Sequence, residues 1–258
     1  MGKDQIRQIV NIIATLAVIV VNALANALPL NGLNTGEISD RFKVLFVPAG
    51  YVFSIWGLIY IGLIAFAVYQ ALPAQRDNPR LRRVGWWYAL GCLANCVWIF
   101  LWHYENFPLT LVVMLVLLTS LLAVYLRLGV GRTKVSAAEL WAAHVPFSIY
   151  LGWISVATIA NATDVLDYIG WSGWGVSPEA WAVIMLAAAG ILTLAMGLTR
   201  RDAAYALVIA WAAAGIAVKQ APVSEAVARN AWVLAVVALF VAAASIVRRL
   251  RPAPGPKR

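Results

Sequence analysis

Eight apolar runs separated by short polar breaks organise this sequence, at roughly 8–28, 50–72, 85–103, 108–127, 136–163, 178–198, 202–219 and 225–247. About 20 apolar residues carry a helix across the hydrocarbon core of a bilayer, so each run predicts one membrane-crossing helix. The breaks hold residues that end helices. They are Pro29 with Asn31 and Gly32, the stretch from Pro73 to Pro79, Glu105 with Asn106, Gly129 with Gly131, the stretch from Gly170 to Pro178, Arg200 with Arg201, and Ala221 with Pro222. Pro108 and Pro178 fall in first helical turns, where a missing N–H is tolerated.

Three runs interrupt their apolar pattern at spacing i, i+3, i+7, which on a helix is one face. The sets are Phe53, Trp56 and Tyr60, then Asn95, Trp98 and Trp102, then Tyr150, Trp153 and Ala157, the last continuing to Thr158 and Asn161. Tyr51 precedes the first set, about 14 Å above Tyr60 at 1.5 Å per residue. Asn22 and Asn26 form an i, i+4 pair near the end of the first run. With helices alternating in direction, all these residues fall in one half of the membrane, at similar depth. That convergence points to the lining of a cavity. Packing is the competing reading, because asparagine and threonine hydrogen-bond between membrane helices and tryptophan populates interface belts. Trp102, Trp171 and Trp174 read as belt residues; the joint occurrence of Trp56, Asn95 and Trp153 favours the cavity.

Composition identifies the solvent. The chain is 63% hydrophobic and 12% charged, with mean hydropathy +0.81, whereas soluble domains carry about 25% charged residues. Its net charge of +9 does not imply a nucleic-acid partner, because the basic residues sit in short clusters between apolar runs. All 20 lie before the first run, in alternate loops or after the last run, except Arg41, Lys43, Lys219 and Arg229. The expectation is an integral protein of a bacterial cytoplasmic membrane with both termini inside. The start of the chain, with Lys3 and Arg7 before Ile9–Val21 and then Ala25-Asn26-Ala27, also has the form of a secretory signal. The run continues to Leu30, which with the even helix number favours an uncleaved anchor.

The remaining chemistry is sparse. Cys92 and Cys96, at i, i+4 in one apolar run, read as small core residues, and no metal-ligand pattern is present. His103, at a helix end beside Tyr104 and Glu105, reads as solvated. His144 reads as a packing residue, with a proton relay as the alternative, and Lys219 as a side chain snorkelling from a helix end. No nucleophile–base set or phosphate loop is found, so the protein is expected not to be an enzyme.

Three motifs then carry a resemblance. Pro48-Ala-Gly-Tyr51-Val-Phe53-Ser-Ile-Trp56-Gly-Leu-Ile-Tyr60, Leu93-Ala-Asn95-Cys-Val-Trp98, and Tyr150-Leu-Gly-Trp153-Ile-Ser155-Val-Ala157-Thr158-Ile-Ala-Asn161 resemble the second, third and fifth helices of the tryptophan-rich sensory protein (TspO, translocator protein) family. The likeness covers residues 8 to about 165, in the family's order. It departs in the first loop, Asn31 to Val47, which lacks the family's tryptophan, and in the three helices that follow the fifth. The resemblance implies a five-helix bundle with an internal pocket for porphyrins or other flat hydrophobic molecules, closed by the first loop.

The expected protein is therefore all-α, a polytopic membrane bundle of about eight helices. Residues 1–165 form the TspO-like five-helix bundle, 176–250 a three-helix extension packed through small residues such as Gly190, Gly197 and Gly215, and 251–258 a basic tail. It would bind a small hydrophobic ligand, tetrapyrrole- or lipid-like, for sensing or transport, with no resident cofactor; its partners would be the bilayer, the ligand and a second copy of the chain. The alternatives are a secondary transporter, or photo-oxidative breakdown of a bound porphyrin.

Overall fold

Each apolar run is a helix in the computed structural model, which describes residues 2–28 and 30–250. They are α1 (Lys3–Ala27), α2 (Ile55–Ala71, led in by a 3₁₀ segment at Gly50–Ser54), α3 (Trp87–His103), α4 (Phe107–Leu128), α5 (Ala137–Tyr168), α6 (Pro178–Arg200), α7 (Ala203–Gln220) and α8 (Glu225–Leu250). Seven are long and apolar enough to cross a membrane. The shorter one, α3, has 17 residues and rises about 25 Å at 1.5 Å per residue. The result is an all-helical membrane bundle, with no strand among the described residues. The break at Pro29 and the tail 251–258 lie outside them.

Local chemistry fixes the helix ends. The Ser136, Ser177 and Asp202 side chains accept from the N–H groups of Glu139, Ala180 and Tyr205, capping α5, α6 and α7. At the end of α4 the backbone turns left-handed at Gly129, φ 72°, which glycine enters without a Cβ penalty. Within α5, Leu140–His144 widens into a π turn.

The first five helices close a ring in the order α1, α2, α5, α4, α3 and back to α1. Gly62 lets α2 approach α5, since a Cβ there would lie 2.9 Å from Pro146 Cβ. The other three helices form a layer whose contact with the ring is made chiefly by α7. Gly152 admits α7 to the back of α5, where a Cβ would meet Val208 Cβ at 3.1 Å. Ala49 N–H donates to Gly215 O at 3.1 Å and Trp211 Nε1 to Val52 O at 3.1 Å, tying α7 to the lead-in of α2. Buried Asp202 completes the seam, accepting from Tyr125 of α4 and Ser148 of α5, each at 2.7 Å. Of the three glycines expected to pack the layer internally, Gly197 and Gly190 face Val241 and Leu234 of α8, whereas Gly215 faces Val52 of the ring.

The charge clusters sort by end. At one end Arg82 pairs with Asp4 at 2.6 Å, Arg7 donates to Arg76 O at 3.1 Å, and Arg127 to Arg83 O at 2.9 Å. At the other, Lys219 pairs with Asp40 at 2.5 Å and Arg41 with Glu105. That hydrogen bond from Arg41 to Glu105 holds the guanidinium pKa above its ordinary value.

The loop between α1 and α2 folds over the second end of the ring. Its short helix, Thr35–Ser39, is capped by Asn34 Oδ1, which accepts from the Gly36 and Glu37 N–H groups at 3.0 Å. Ile38 and Phe42 pack on Trp102, Phe107 and Val165. Two expectations are corrected here. His103 is buried, its ring nitrogens meeting Leu30 O at 3.0 Å and Thr35 Oγ1 at 3.1 Å. Trp102 is buried too, donating to Thr35 O at 3.2 Å, rather than sitting in a lipid belt. Both fail for one physical reason: the loop covers the end of α3 that would otherwise meet water and headgroups. Trp174 does remain exposed, at 82%.

Candidate functional site

Three levels of side chains fill the ring. Nearest the basic end, Phe66, Tyr88 and Phe147 meet edge to face with centroids 4.8 to 5.7 Å apart, and the Tyr88 hydroxyl lies 2.6 Å from Thr15 Oγ1. These rings close the bottom of the interior with apolar surface.

The middle level holds an amide chain and an aromatic wall. Asn22 of α1 donates to Asn95 of α3 at 2.7 Å, and Asn95 donates to the Tyr150 hydroxyl of α5 at 2.9 Å. Because Tyr150 accepts there, its own hydrogen is left to donate. Beside it Trp56 stacks on Tyr60 at 5.6 Å and meets Tyr150 and Trp153 edge-on at 5.9 and 6.4 Å. Phe53 closes on Trp153 at 5.7 Å. Trp153 is 3% exposed, and its indole N–H has no acceptor. A buried donor left unpaired costs about 1–3 kcal/mol. An acceptor arriving at that nitrogen would recover this energy.

At the upper level Trp98 stacks on Trp102 at 5.2 Å and donates to Asn161 Oδ1 at 3.2 Å. Asn161 in turn donates to Thr110 Oγ1 of α4 at 2.8 Å. Above these rings lies the first loop, with Phe42 at 5.8 Å from Trp102 and 4.8 Å from Phe107.

Of the residues expected to line one cavity, Asn22, Phe53, Trp56, Tyr60, Asn95, Tyr150 and Trp153 meet at the middle level, and Trp98 and Asn161 join above. Three stand apart. Tyr51 is half exposed and packs edge-on against Trp211 of α7 at 5.5 Å, on the side of the chain away from the face shared by Phe53 and Trp56. Thr158 returns its hydroxyl to Ile154 O at 2.7 Å on its own helix. Asn26 is exposed, donating to Asn22 O at 2.9 Å and accepting from Thr35 N–H at 3.4 Å, so it braces the loop. Thr110, Thr15 and Tyr88 are polar members of the interior that periodicity did not single out. Each is a hydroxyl outside the i, i+3, i+7 sets, and no sequence signal marked it.

Among the described residues no group of three or more His, Cys, Asp or Glu side chains is placed to hold a metal. The interior is a hydrogen-bonding and stacking environment. Comparison of the chain with curated proteins found no match, and comparison with solved structures found none either. A family model described as TSPO-like protein matches residues 8–244, spanning the ring and the layer behind it, and the chain belongs to that family.

Proposed function

We propose that the ring interior binds a small, flat, hydrophobic molecule carrying a hydrogen-bond acceptor, for sensing or transport and without catalysis. The observation that supports this most is the unpartnered indole N–H of Trp153, buried against Phe53 and Trp56 with the free hydroxyl hydrogen of Tyr150 on the same helix face. Stacking surface with a few fixed polar groups is the usual make-up of a small-molecule site. A porphyrin-type ring fits that chemistry, bringing a flat apolar body and carboxylate or ring-nitrogen acceptors. The basic end of the bundle faces the cytoplasm in this reading, which puts the first loop and its lid contacts outside.

Titrating the detergent-solubilised protein with protoporphyrin, read by tryptophan quenching, tests the proposal. Trp56→Ala, Asn95→Ala and Trp153→Ala each weaken binding, and Trp232→Ala, on the exposed side of α8, does not. Equal behaviour of all four variants would place the ligand elsewhere.

A further inference from the structure

A second cavity lies outside the ring. It occupies about 340 Å³ between the outer ends of α5 and α6, roofed by residues of the first loop and walled by the α5–α6 connection. The size sits at the lower end of the range for small-ligand sites, about 300–1,000 Å³. It exists because α5 and α6 diverge: α6 packs closely on α8 and α5 on α7, while α5 and α6 scarcely touch.

The walls are built without help from a ligand. The connection turns through left-handed backbone at Gly170, Gly173, Trp174 and Gly175, with φ of 69°, 71°, 52° and 80°. Trp181 donates its indole N–H to Gly173 O at 2.9 Å, which locks that ring in place. Trp171 lies 5.0 Å from Trp181 and 5.3 Å from Trp174, so two indoles of the cavity wall are fixed by their neighbours. A preformed site loses little freedom on binding.

The polar groups of the lining are of opposite sign. Lys43 and Asp167 line the same cavity as Trp181, Ala182 and Met185 of α6. Of the other basic residues of this end, Arg41 and Lys219 pair with Glu105 and Asp40, whereas the ammonium of Lys43, like the guanidinium of Arg229 on α8, makes no ion pair among the described residues. Asp167 accepts one long hydrogen bond, from Lys43 N–H at 3.4 Å. One cation and one anion thus stand beside an apolar cleft, next to an indole face that attracts ammonium groups.

We propose that this cleft is a binding site for a zwitterionic amphiphile, of the kind a phospholipid headgroup with the start of its chain presents. The anionic part of the head pairs with Lys43, the ammonium with Asp167 and Trp171, and the apolar part lies along Trp181, Ala182 and Met185. The site is separate from the ring interior and does not rest on the reading of that interior.

The test uses the full chain labelled with 5-fluorotryptophan in detergent micelles. Fluorine resonances are assigned with Trp171→Phe, Trp181→Phe and Trp56→Phe. The probes are three short, soluble amphiphiles with one hexyl chain: hexylphosphocholine, hexyl phosphate and hexyltrimethylammonium. The expected result is a saturable shift of Trp171 and Trp181 with hexylphosphocholine, the Trp56 resonance staying still. Each probe that carries charge of one sign only binds about tenfold more weakly or worse, as does hexylphosphocholine to Lys43→Ala or Asp167→Asn. Ala182→Phe, which fills the cleft, abolishes the shift. Shifts linear in probe concentration, equal for the three probes, or unchanged by Lys43→Ala and Asp167→Asn would overturn the proposal. So would a response confined to Trp56.

Discussion

The ring and the layer behind it are made of similar helices, and both use a glycine to bring neighbours close, yet across the ring's interior the helices meet differently. In the ring, α3 and α5 face each other across the interior and meet through long side chains, Asn95 with Tyr150 and Trp98 with Asn161. In the layer, side chains of α8 seat directly on glycines of α6: a Cβ on Gly197 would collide with Val241, and one on Gly190 would touch Leu234 at 3.4 Å. Small residues maximise van der Waals contact between membrane helices and leave nothing in between that can move. Large aromatic and amide side chains do the reverse, because rotamer changes can open room among them. The layer is a frame, and in the function proposed above the ring is the part that accepts the flat ligand.

The seam between the two is where the largest effect is expected. Asp202→Ala leaves the Tyr125 and Ser148 hydroxyls and the Tyr205 N–H without their acceptor. At about 1–3 kcal/mol for each unpaired buried group, the loss is about 3 kcal/mol or more. Reversible unfolding in mixed micelles, followed by circular dichroism, measures it. Next comes the frame itself. Gly197→Leu forces α6 away from α8 and lowers stability by about 1–3 kcal/mol, while porphyrin affinity holds within twofold of about its original value. A parallel loss of affinity would show that layer and interior are not separate in the way described.

Within the ring the balance inverts. Asn95→Leu removes the central link of the chain from Asn22 to Tyr150. Hydrogen bonds between membrane helices average about 0.6 kcal/mol, so with two of them lost stability changes by only about 1 kcal/mol. Affinity for porphyrin falls about tenfold, equivalent to about 1.4 kcal/mol. The smallest effect belongs to the rim: Lys219→Ala breaks a partly exposed ion pair with Asp40 and shifts stability by about 1 kcal/mol or less.

Much of this architecture could be read in the sequence because lipid enforces a simple rule. Backbone groups must be satisfied within the helix, so long apolar runs and their breaks locate each of the eight long helices, though not the short helical turns of the loops. The alternation of basic clusters likewise anticipated which loops share an end. The i, i+3, i+7 sets found most of the middle level, since that spacing is a property of the helix itself. What stayed hidden depends on tertiary covering. His103 and Trp102 were misjudged because nothing in their own helix reveals that residues 30–47 fold over it. Tyr51 was included for its depth alone, and depth does not say which side of the helix a residue takes. Thr110 was missed because it stands nine residues from the next hydroxyl of its helix, Thr119, a spacing that marks no shared face.

The central claim is that the Trp153 N–H, buried and unpaired in the ring, is the group a ligand engages. The indole ¹H–¹⁵N spectrum of the protein in micelles, with Trp153 assigned by Trp153→Phe, reads that group directly. Adding protoporphyrin should move the Trp153 resonance downfield, as a new hydrogen bond requires, and leave Trp232 where it was. A porphyrin that binds while the Trp153 resonance stays fixed would contradict the account.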